Sequence, residues 1–488
     1  MWAVILCIFL FFYFIKLNFQ RPPAYPPGPP ILPLLGNIIS VWVNVKKLKY
    51  RHKLWQIWSR KYGDLLGLKL GLINVVIVSG KEYIKEVSSR EVFEGRPDGF
   101  FYLIRSFGKK LGIVFSDGPA WNKTRRTVLR YLKYYGYGSK AMEVNISEEC
   151  RELIKLLEKN VGKTVCVNRL FDISIVNILW RLVAGKRYDL MDKRLKTLCD
   201  LIKRSFKVSD MSGGVLNFLP FLRHVIPNQI GYTELKNIHA SLYAFLKDTI
   251  EEHRSALDVH NPKDVIDALL IEMNSEKDIK LTDEELQVVC LDLLEAGVET
   301  VSSTAVFLLL HVVREQEVQT RLQLEIDREI GHARPPKLSD RTRLIYTEAV
   351  LLEALRISSV ATMGIPHMAL DDAKLGKYLI PKGTFLLLAL YDLHNGIHWK
   401  DPTMFKPERF LTKEGNLIQT EWFMPFGTGK RRCIGEGLAR SELFLFLTNI
   451  LQKFRLKLSD GAPLPSTEPV DGVTLSAKEF NVIFEPRF

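Results

Sequence analysis

Paired cysteines are missing from this sequence. Its six cysteines are spread over 488 residues, at Cys7, Cys150, Cys166, Cys199, Cys290 and Cys433, and no two of them form a CxxC pair. Disulfide frameworks and zinc sites need closely spaced cysteines. The spacing therefore excludes those two classes of protein, and it indicates mostly buried thiols in a reducing compartment.

Flexible linkers and internal repeats are also missing from the interior of the chain. No long stretch rich in glycine and serine, or in charge of one sign, divides the sequence, which is 47% hydrophobic and 25% charged. Such a composition is typical of a globular protein. We therefore predict one large domain rather than several.

Nucleic-acid-binding motifs are absent, although the formal net charge is +13. Neither a Cys/His finger nor an aromatic RNA-binding signature occurs in the sequence. A basic surface without such a motif favours an anionic membrane or an acidic protein as its partner. We predict no nucleic-acid partner.

The longest uninterrupted apolar run lies at the N-terminus. Residues 1–15 carry no charge, and Leu17 and Phe19 extend the apolar face beyond Lys16. A membrane span needs roughly 20 such residues. A cleaved signal peptide is the alternative, but no basic residue precedes the run and no small-residue cleavage pattern follows it. We predict a membrane anchor at 1–20, with the basic residues behind it on the cytoplasmic side.

A proline-rich segment follows the predicted anchor. Residues 21–30 contain six prolines, which exclude a helix and favour a stiff, extended segment. We predict a linker at 21–38 that sets the tilt of a domain at 39–488.

Periodicity in the body predicts a mainly helical fold with small β-sheets. Strand patterns occur at Leu65–Leu70 and Val75–Val78 and return after residue 367, whereas helical patterns dominate from Trp121 to about Arg356. The longest helix is expected to begin at Thr282, where Glu285 completes a capping box. It is apolar on most faces, which is typical of a helix at the centre of a large protein.

The most informative segment runs from Phe426 to Gly435 and reads FGTGKRRCIG. A phosphate-binding P-loop needs Ser or Thr after Gly-Lys, but Lys430 is followed by Arg431. A dinucleotide fingerprint needs a third glycine where Arg432 stands. Both kinds of phosphate site are therefore excluded.

A thiolate at Cys433 suits the same segment. Arg431 and Arg432 supply positive charge, three glycines allow a tight loop, and the helix predicted at Leu438–Leu451 begins close by. Nearby cations and a helix N-terminus both stabilise a thiolate. A basic surface loop with a buried cysteine remains the alternative.

This segment resembles the haem-binding signature of the cytochrome P-450 family. The matching positions are Phe426, Gly429, Arg431, Cys433 and Gly435. The resemblance implies that Cys433 binds the iron of haem b as a thiolate and that Arg431 pairs with a haem propionate. A thiolate ligand favours cleavage of the O–O bond.

Part of the predicted central helix resembles the oxygen-activation segment of the same family. It comprises Ala296, Gly297, Val298, Glu299 and Thr300. The resemblance implies that Ala296 and Gly297 lie against the haem and that Glu299 and Thr300 guide protons to the oxygen site. An ordinary core helix is the alternative.

Two further sets of residues resemble family features. Glu353, Arg356 and Arg409 match a structural ion network behind the haem. Trp121 and Arg125, at helical spacing, match residues that reach a haem propionate. The basic residues around them predict a surface that attracts an acidic electron donor.

The resemblance also implies a mostly apolar substrate pocket, as small-molecule sites usually are. Its predicted lining residues are Phe101, Ile104, Ile113, Phe115, Phe206, Glu295, Ala361, Ile365 and Val473. Glu295 stands where many relatives have a small residue. With Glu299 it forms a pair of buried acids, each of which must be paired or protonated. We therefore expect Glu295 to contact a polar group on the substrate or a neighbouring helix.

The implied activity is a monooxygenase of the animal microsomal type, in the endoplasmic reticulum membrane and facing the cytoplasm. It would insert one atom of O2 into a small apolar substrate, with electrons from NADPH delivered by a membrane flavoprotein reductase. Residues 357–375 look most like insect enzymes of hormone or semiochemical synthesis, which suggests epoxidation of a sesquiterpenoid precursor such as methyl farnesoate.

Three alternatives remain open at this point. The first is N-hydroxylation of an aromatic amino acid to an aldoxime, with Glu295 holding the ammonium group. The second is a haem-thiolate isomerase or dehydratase that uses no O2, although the Glu299–Thr300 pair argues against it. The third is a haem carrier or sensor without catalysis.

Overall fold

The computed structural model describes residues 2, 5, 6, 9, 21–274 and 281–488. The predicted anchor at 1–20 lies almost wholly outside the described residues.

Helices make up most of the described chain. The α-helices are α1 (Ile38–Leu48), α2 (Arg51–Tyr62), α3 (Lys81–Ser89), α4 (Phe100–Leu103), α5 (Gly118–Tyr134), α6 (Lys140–Glu158), α7 (Asp172–Ala184), α8 (Lys193–Val208), α9 (Gly214–Phe218), α10 (Tyr232–Ala256), α11 (Val265–Met273), α12 (Asp283–Arg314), α13 (Gln316–Glu329), α14 (Ile345–Ser358), α15 (Leu390–Asn395) and α16 (Glu436–Lys453). Short 3-10 helices occur at Glu91–Phe93, Ile104–Ser106, Val167–Arg169, Pro220–His224, Leu338–Thr342 and Pro407–Phe410.

The strands form small sheets at the edges of the helical body. They are β1 (Leu65–Leu70), β2 (Ile73–Val78), β3 (Thr164–Cys166), β4 (His367–Met368), β5 (Ala373–Leu375), β6 (Tyr378–Ile380), β7 (Phe385–Leu388), β8 (Phe454–Lys457), β9 (Pro469–Val470), β10 (Ser476–Ala477) and β11 (Asn481–Pro486). The sheet orders are β1-β2-β7-β4, β3-β11-β8, β9-β10 and β5-β6. The prediction of a mainly helical fold with small sheets is confirmed.

The first hairpin was predicted closely. β1 has the predicted bounds, and β2 begins two residues earlier than expected, at Ile73. The turn is tight because Gly71 adopts a φ of +60°, a conformation that glycine takes without strain. β2 then pairs antiparallel with β1 and parallel with β7.

The proline-rich segment contacts the same hairpin. Tyr25 is buried, and its hydroxyl donates to the carbonyl oxygen of Val75 at 2.9 Å. A Cβ at Gly28 would lie 2.0 Å from the carbonyl oxygen of Gly67, so the two backbones approach as closely as glycines allow. Residues 21–30 contain no helix, as predicted, and this stretch is packed on the domain surface rather than extended away from it.

Helix α12 is the central element of the fold. The Thr282 hydroxyl accepts from the Glu285 N–H at 3.1 Å, which confirms the predicted start of the helix. The capping box is only half formed, because the Glu285 carboxylate turns away and accepts from the Gly112 N–H instead. Within the described part of the chain α12 is the helix long and apolar enough to cross a membrane, but most of it is buried in the protein, where it serves as the core helix.

A buried ion network ties α14 to the segment that precedes the cysteine loop. The Arg356 guanidinium donates to both carboxylate oxygens of Glu353, at 2.7 and 2.8 Å. Arg409 Nε donates to the same carboxylate at 3.0 Å. Glu353 and Arg356 are completely buried. Arg356 also donates to the carbonyl oxygen of His394, whose imidazole Nε2 accepts from the Met424 N–H.

Replacing Glu353 by alanine would leave two guanidinium groups without their shared carboxylate. Because an unpaired buried charge is costly, we expect the free energy of unfolding to fall by about 3–5 kcal/mol. Chemical denaturation of the full chain measures this loss. The matched control is Glu152→Ala, which removes an ion pair with the exposed Lys155 and should cost less than about 1 kcal/mol. Equal losses in the two variants would contradict the structural role of Glu353.

Candidate active site

A cavity of about 400 Å³ lies between α12 and the cysteine loop. Its walls come from α12, from residues 96–115, from α8 and α10, and from residues 358–365 and 473–474. The nine predicted pocket residues all line it: Phe101, Ile104, Ile113, Phe115, Phe206, Glu295, Ala361, Ile365 and Val473. Side chains from six separate stretches of sequence are therefore brought to one space.

The cysteine loop is held in a single conformation by close backbone contacts. The Cys433 N–H donates to the carbonyl oxygen of Phe426 at 2.9 Å. Gly429 adopts a φ of +71°, and a Cβ there would lie 2.0 Å from the Ser88 carbonyl oxygen, so no larger residue fits. The Tyr137 hydroxyl donates to the Ile434 carbonyl oxygen from the other side. Cys433 consequently faces the cavity, which Phe426 and Gly435 also line.

Opposing effects act on the Cys433 thiol. Burial raises its pKa, whereas the N–H groups of Gly435 and Glu436 at the start of α16 and the charge of Arg125 act to lower it. The fold thus supplies the helix terminus and the cation that a thiolate needs. A positive ion bound at the sulfur would complete the stabilisation of the charged form.

Guanidinium groups crowd one side of the same cavity. Arg96, Arg125 and Arg431 all line it. Arg431 donates to the carbonyl oxygens of Ser116 and Glu94, while its Nε has no hydrogen-bond partner among the described residues. Burial and the charge of Arg431 both lower the pKa of Arg96. Such a concentration of buried positive charge requires an anion to balance it.

Trp121 is buried beside the arginines of the cavity. Its indole N–H donates to the Ile113 carbonyl oxygen at 3.1 Å, and the residue is absent from the cavity lining. The Arg431 guanidinium lies 3.4 Å from the centre of the Trp121 ring. Trp121 therefore supports Arg431, and a contact between Trp121 and a haem propionate stays a prediction.

Comparison with known proteins agrees with this arrangement. A model of the cytochrome P450 family matches residues 26–484. The chain belongs to the cytochrome P450 family. This P450 is 64% identical to farnesoate epoxidase from Bombyx mori over 484 residues, which cover 99% of this chain and 98% of the relative.

More distant relatives also align over almost the whole P450 chain. It is 37% identical to probable cytochrome P450 305a1 from Drosophila melanogaster, over 96% of this chain and 95% of the relative. It is 34% identical to human cytochrome P450 2C8, over 99% of both chains. The family prediction made from Cys433 and its neighbours is confirmed.

The residues around the cavity fit the haem that the P450 family implies. A thiol faces the cavity, glycines bring the backbone of the loop close to it, and three guanidinium groups supply charge for two propionates. The unpartnered Nε of Arg431 is a donor without an acceptor. The donor set therefore suits a flat, doubly anionic group with an iron centre.

The α12 segment facing the loop is continuous through Gly297. A Cβ at Gly297 would lie 2.8 Å from a Leu179 methyl group, so glycine allows α7 and α12 to pack closely. The Thr300 hydroxyl donates to the Ala296 carbonyl oxygen at 2.8 Å. Ala296, Gly297 and Thr300 line the cavity.

Glu299 is on α12 close to the cavity but is not among the residues that line it. It is 2% exposed, and one carboxylate oxygen accepts from the Ser303 hydroxyl while the other has no hydrogen-bond partner in the described structure. Burial raises its pKa to about 7, with the charge of Lys203 acting in the opposite direction. The group is therefore poised to gain or lose a proton near neutral pH.

Glu295 is paired within the protein. Arg105 donates to Glu295 and to Asp292, at 2.6 Å in each case, and His239 Nε2 lies 3.7 Å from Glu295. Burial acts to raise the pKa of Glu295, but the charge of Arg105 outweighs it and lowers the pKa to about 2. The two buried acids are thus accommodated differently: Glu295 is ionised and paired, and Glu299 holds a proton part of the time.

Several cavity residues had escaped prediction. Arg96 lies in a loop, Arg105 lies in the 3-10 helix Ile104–Ser106, and His239 occupies the buried face of an ordinary amphipathic helix. His367 also lines the cavity, and its Nδ1 lies 2.7 Å from the Phe93 carbonyl oxygen. Their partners are more than a hundred residues away in most cases, so no local pattern marks them.

The raised pKa of Glu299 leads to a testable dependence of stability on pH. Between pH 4.5 and about 7 the folded protein holds a proton that the unfolded chain has lost, so stability falls as the pH rises through this window. At about 1.4 kcal/mol per pKa unit, the full cost above pH 7 is roughly 3 kcal/mol. Glu299→Gln should therefore stabilise the protein at pH 8 and have no such effect at pH 4.

Thermal and chemical unfolding at both pH values would measure the effect. Glu158→Gln, at an exposed position on α6, is the matched control and should show no difference between the two pH values. A Glu299→Gln variant that gains the same stability at pH 4 as at pH 8 would contradict the assignment.

Proposed function

We propose that this P450 is a membrane-anchored haem-thiolate monooxygenase that epoxidises farnesoate or its methyl ester. The observation that carries the proposal is the 64% identity to farnesoate epoxidase of Bombyx mori over 99% of the chain. The cavity supports it, since an elongated hydrocarbon suits a space lined mainly by apolar side chains. One oxygen atom of O2 would enter a carbon–carbon double bond, and the other would leave as water with two electrons from NADPH and two protons.

Cys433 would hold the haem iron, and Arg96, Arg125 and Arg431 would hold the propionates. The haem, when bound, supplies activation of O2 and transfer of one oxygen atom. The protein supplies the binding, the orientation and the protons. Phe101, Phe115 and Phe206 would exclude water and keep the substrate chain against α12.

Thr300 and Glu299 would have different roles in proton transfer. Thr300 lines the cavity, and its hydroxyl, which donates to the Ala296 carbonyl oxygen, would hold a proton at the oxygen side of the haem site. Glu299, near the charges of Lys203 and Asp172, would exchange a proton at neutral pH. A pKa close to the working pH is what general acid–base catalysis requires.

We further infer that the chain is held in the endoplasmic reticulum membrane by residues 1–20, with a linker at 21–38 and the catalytic domain at 39–488 facing the cytoplasm. Electrons would come from NADPH through a membrane flavoprotein reductase. The exposed basic residues Arg126, Arg130 and Lys133 of α5 support docking of an acidic partner on the cysteine side. Arg356, Glu353 and Arg409 would act only structurally.

The alternative of aldoxime formation is weakened by the pairing of Glu295. An amino-acid ammonium group would have to displace Arg105, which already binds two carboxylates at 2.6 Å. Losing that buried ion pair is unfavourable. A haem-thiolate isomerase would have no need for the Thr300 and Glu299 pair.

A reconstituted assay tests the proposed function. The detergent-solubilised full chain, with a microsomal NADPH reductase, should convert methyl farnesoate or farnesoic acid to an epoxide that contains one labelled atom from 18O2. Omission of NADPH should abolish the product. Turnover without NADPH would point to an isomerase, and turnover of aromatic amino acids in place of farnesoates would point to N-hydroxylation.

The assignment of Cys433 has its own spectroscopic test. The reduced protein with carbon monoxide should show the strongly red-shifted band of a thiolate-ligated haem, and Cys433→Ala should lose it. Cys166→Ala, at an exposed cysteine outside the cavity, is the matched control and should keep the band. A band at the histidine-haem position in the folded wild type would contradict thiolate ligation.

A further inference from the structure

The turn between α5 and α6 places a tyrosine against the cysteine loop. Tyr137 stands between Gly136 and Gly138, whose φ angles of +110° and +76° favour glycine. The Gly136 N–H donates to the Lys133 carbonyl oxygen and the Tyr137 N–H to that of Leu132, and these bonds fix the path of the turn. The Tyr137 side chain lines the cavity as a result.

The Tyr137 hydroxyl binds a peptide group next to the cysteine. It donates to the Ile434 carbonyl oxygen at 2.5 Å, beside the first turn of α16, where a Cβ at Gly437 would lie 3.5 Å from it. The Ile434 carbonyl and the Gly435 N–H belong to one planar trans peptide and therefore point in opposite directions. Tyr137 thus holds from one side a peptide whose N–H group points to the other side.

The other side of this peptide faces the sulfur of Cys433. A Cβ at Gly435 would lie 3.9 Å from Cys433 Sγ. Burial raises the pKa of the Cys433 thiol, whereas the Gly435 N–H acts to lower it, as a donor to the sulfur does. Hydrogen bonds to a metal-bound sulfur withdraw part of its charge and tune the metal.

Hydrogen bonding through a peptide is cooperative, because a donor at the carbonyl oxygen polarises the group and makes its N–H a stronger donor. Arg125 makes a similar contact when it donates to the Arg432 carbonyl oxygen at 2.7 Å. The N–H of that peptide belongs to Cys433 and donates to the Phe426 carbonyl oxygen instead. Of these two contacts, the one from Tyr137 leads to the sulfur.

We propose that Tyr137 is a positioning residue for the iron ligand, because its hydroxyl holds and polarises the Ile434–Gly435 peptide that donates to Cys433 Sγ. This inference rests on the part of the proposed function that makes Cys433 the iron ligand, and it is independent of the substrate. A hydrogen-bonded sulfur gives less charge to the iron, so the contact favours the ferrous state.

Redox titration of the holoenzyme tests the proposal. Tyr137→Phe removes the hydroxyl and keeps the ring. We expect the ferric–ferrous equilibrium to move towards ferric iron by about threefold, since a fraction of one charge-assisted hydrogen bond is lost. For a one-electron couple this lowers the reduction potential by about 30 mV. Infrared spectroscopy of the ferrous carbonyl complex should show a lower C–O stretching frequency, because the sulfur then gives more charge to the iron.

Tyr135→Phe is the matched control, because its hydroxyl also donates to a carbonyl oxygen, that of Pro262 at 3.1 Å, but outside the cavity lining. Its potential and C–O frequency should match those of the wild type. Tyr137→3-fluorotyrosine is the complementary variant, since its hydroxyl is a stronger donor. Both shifts should then have the opposite sign, with a higher potential and a higher C–O frequency.

The outcomes distinguish tuning from a merely structural role. A Tyr137→Phe protein that keeps the red-shifted carbonyl band but has the potential and C–O frequency of the wild type overturns the proposal, as does an equal shift in Tyr135→Phe. Where Tyr137→Phe loses that band, the fluorinated variant decides: a higher potential supports the proposal and an unchanged one overturns it.

The same measurements separate this inference from the proposed function. A wild type without the red-shifted carbonyl band overturns Cys433 as the iron ligand, and the role of Tyr137 with it. A wild type that has the band but does not epoxidise farnesoates overturns the proposed substrate alone.

Discussion

The fully buried Glu353–Arg356 ion pair is the interaction on which the rest of the site depends. It can exist in the core only because Arg409 and two backbone groups satisfy its remaining hydrogen bonds. The same network leads through the His394 backbone and ring to Met424, just before the cysteine loop. The ion network therefore helps to position Cys433 at the cavity, although Glu353 and Arg356 lie more than 70 residues from it in the sequence. A displacement of the network would leave buried charges unpaired.

The two sides of the cavity are lined by different kinds of side chain. On the loop side, a thiol and three guanidinium groups create a need for an anionic, metal-containing group. On the α12 side, apolar side chains surround one compact set of charges that is almost neutral in itself. Because burial reduces screening by water, each of these charges interacts more strongly with its partners than it would at the surface.

Sequence patterns predicted the elements that depend on neighbours along the chain. The bounds of β1, the start of α12 at Thr282 and the loop around Cys433 all follow from residues within about ten positions, and the structure has them. The patterns failed where a side chain had a choice of partner. Glu285 was expected to close a capping box, but its carboxylate accepts from the Gly112 N–H. Gly112 lies in a loop whose path no periodicity specifies.

The short loop around Cys433 carried the resemblance to the P450 family, because its cysteine, glycines and arginines lie close together in the sequence. The resemblance, and not a local pattern, named the nine residues that the structure brings to the cavity. Only the tertiary structure brings Arg96, Arg105 and His239 to the cavity. It also pairs Glu295 with Arg105, whereas burial raises the pKa of Glu299 to about 7. The reason is that burial and long-range pairing, which set the charge of each acid, depend on chain segments that meet only in three dimensions.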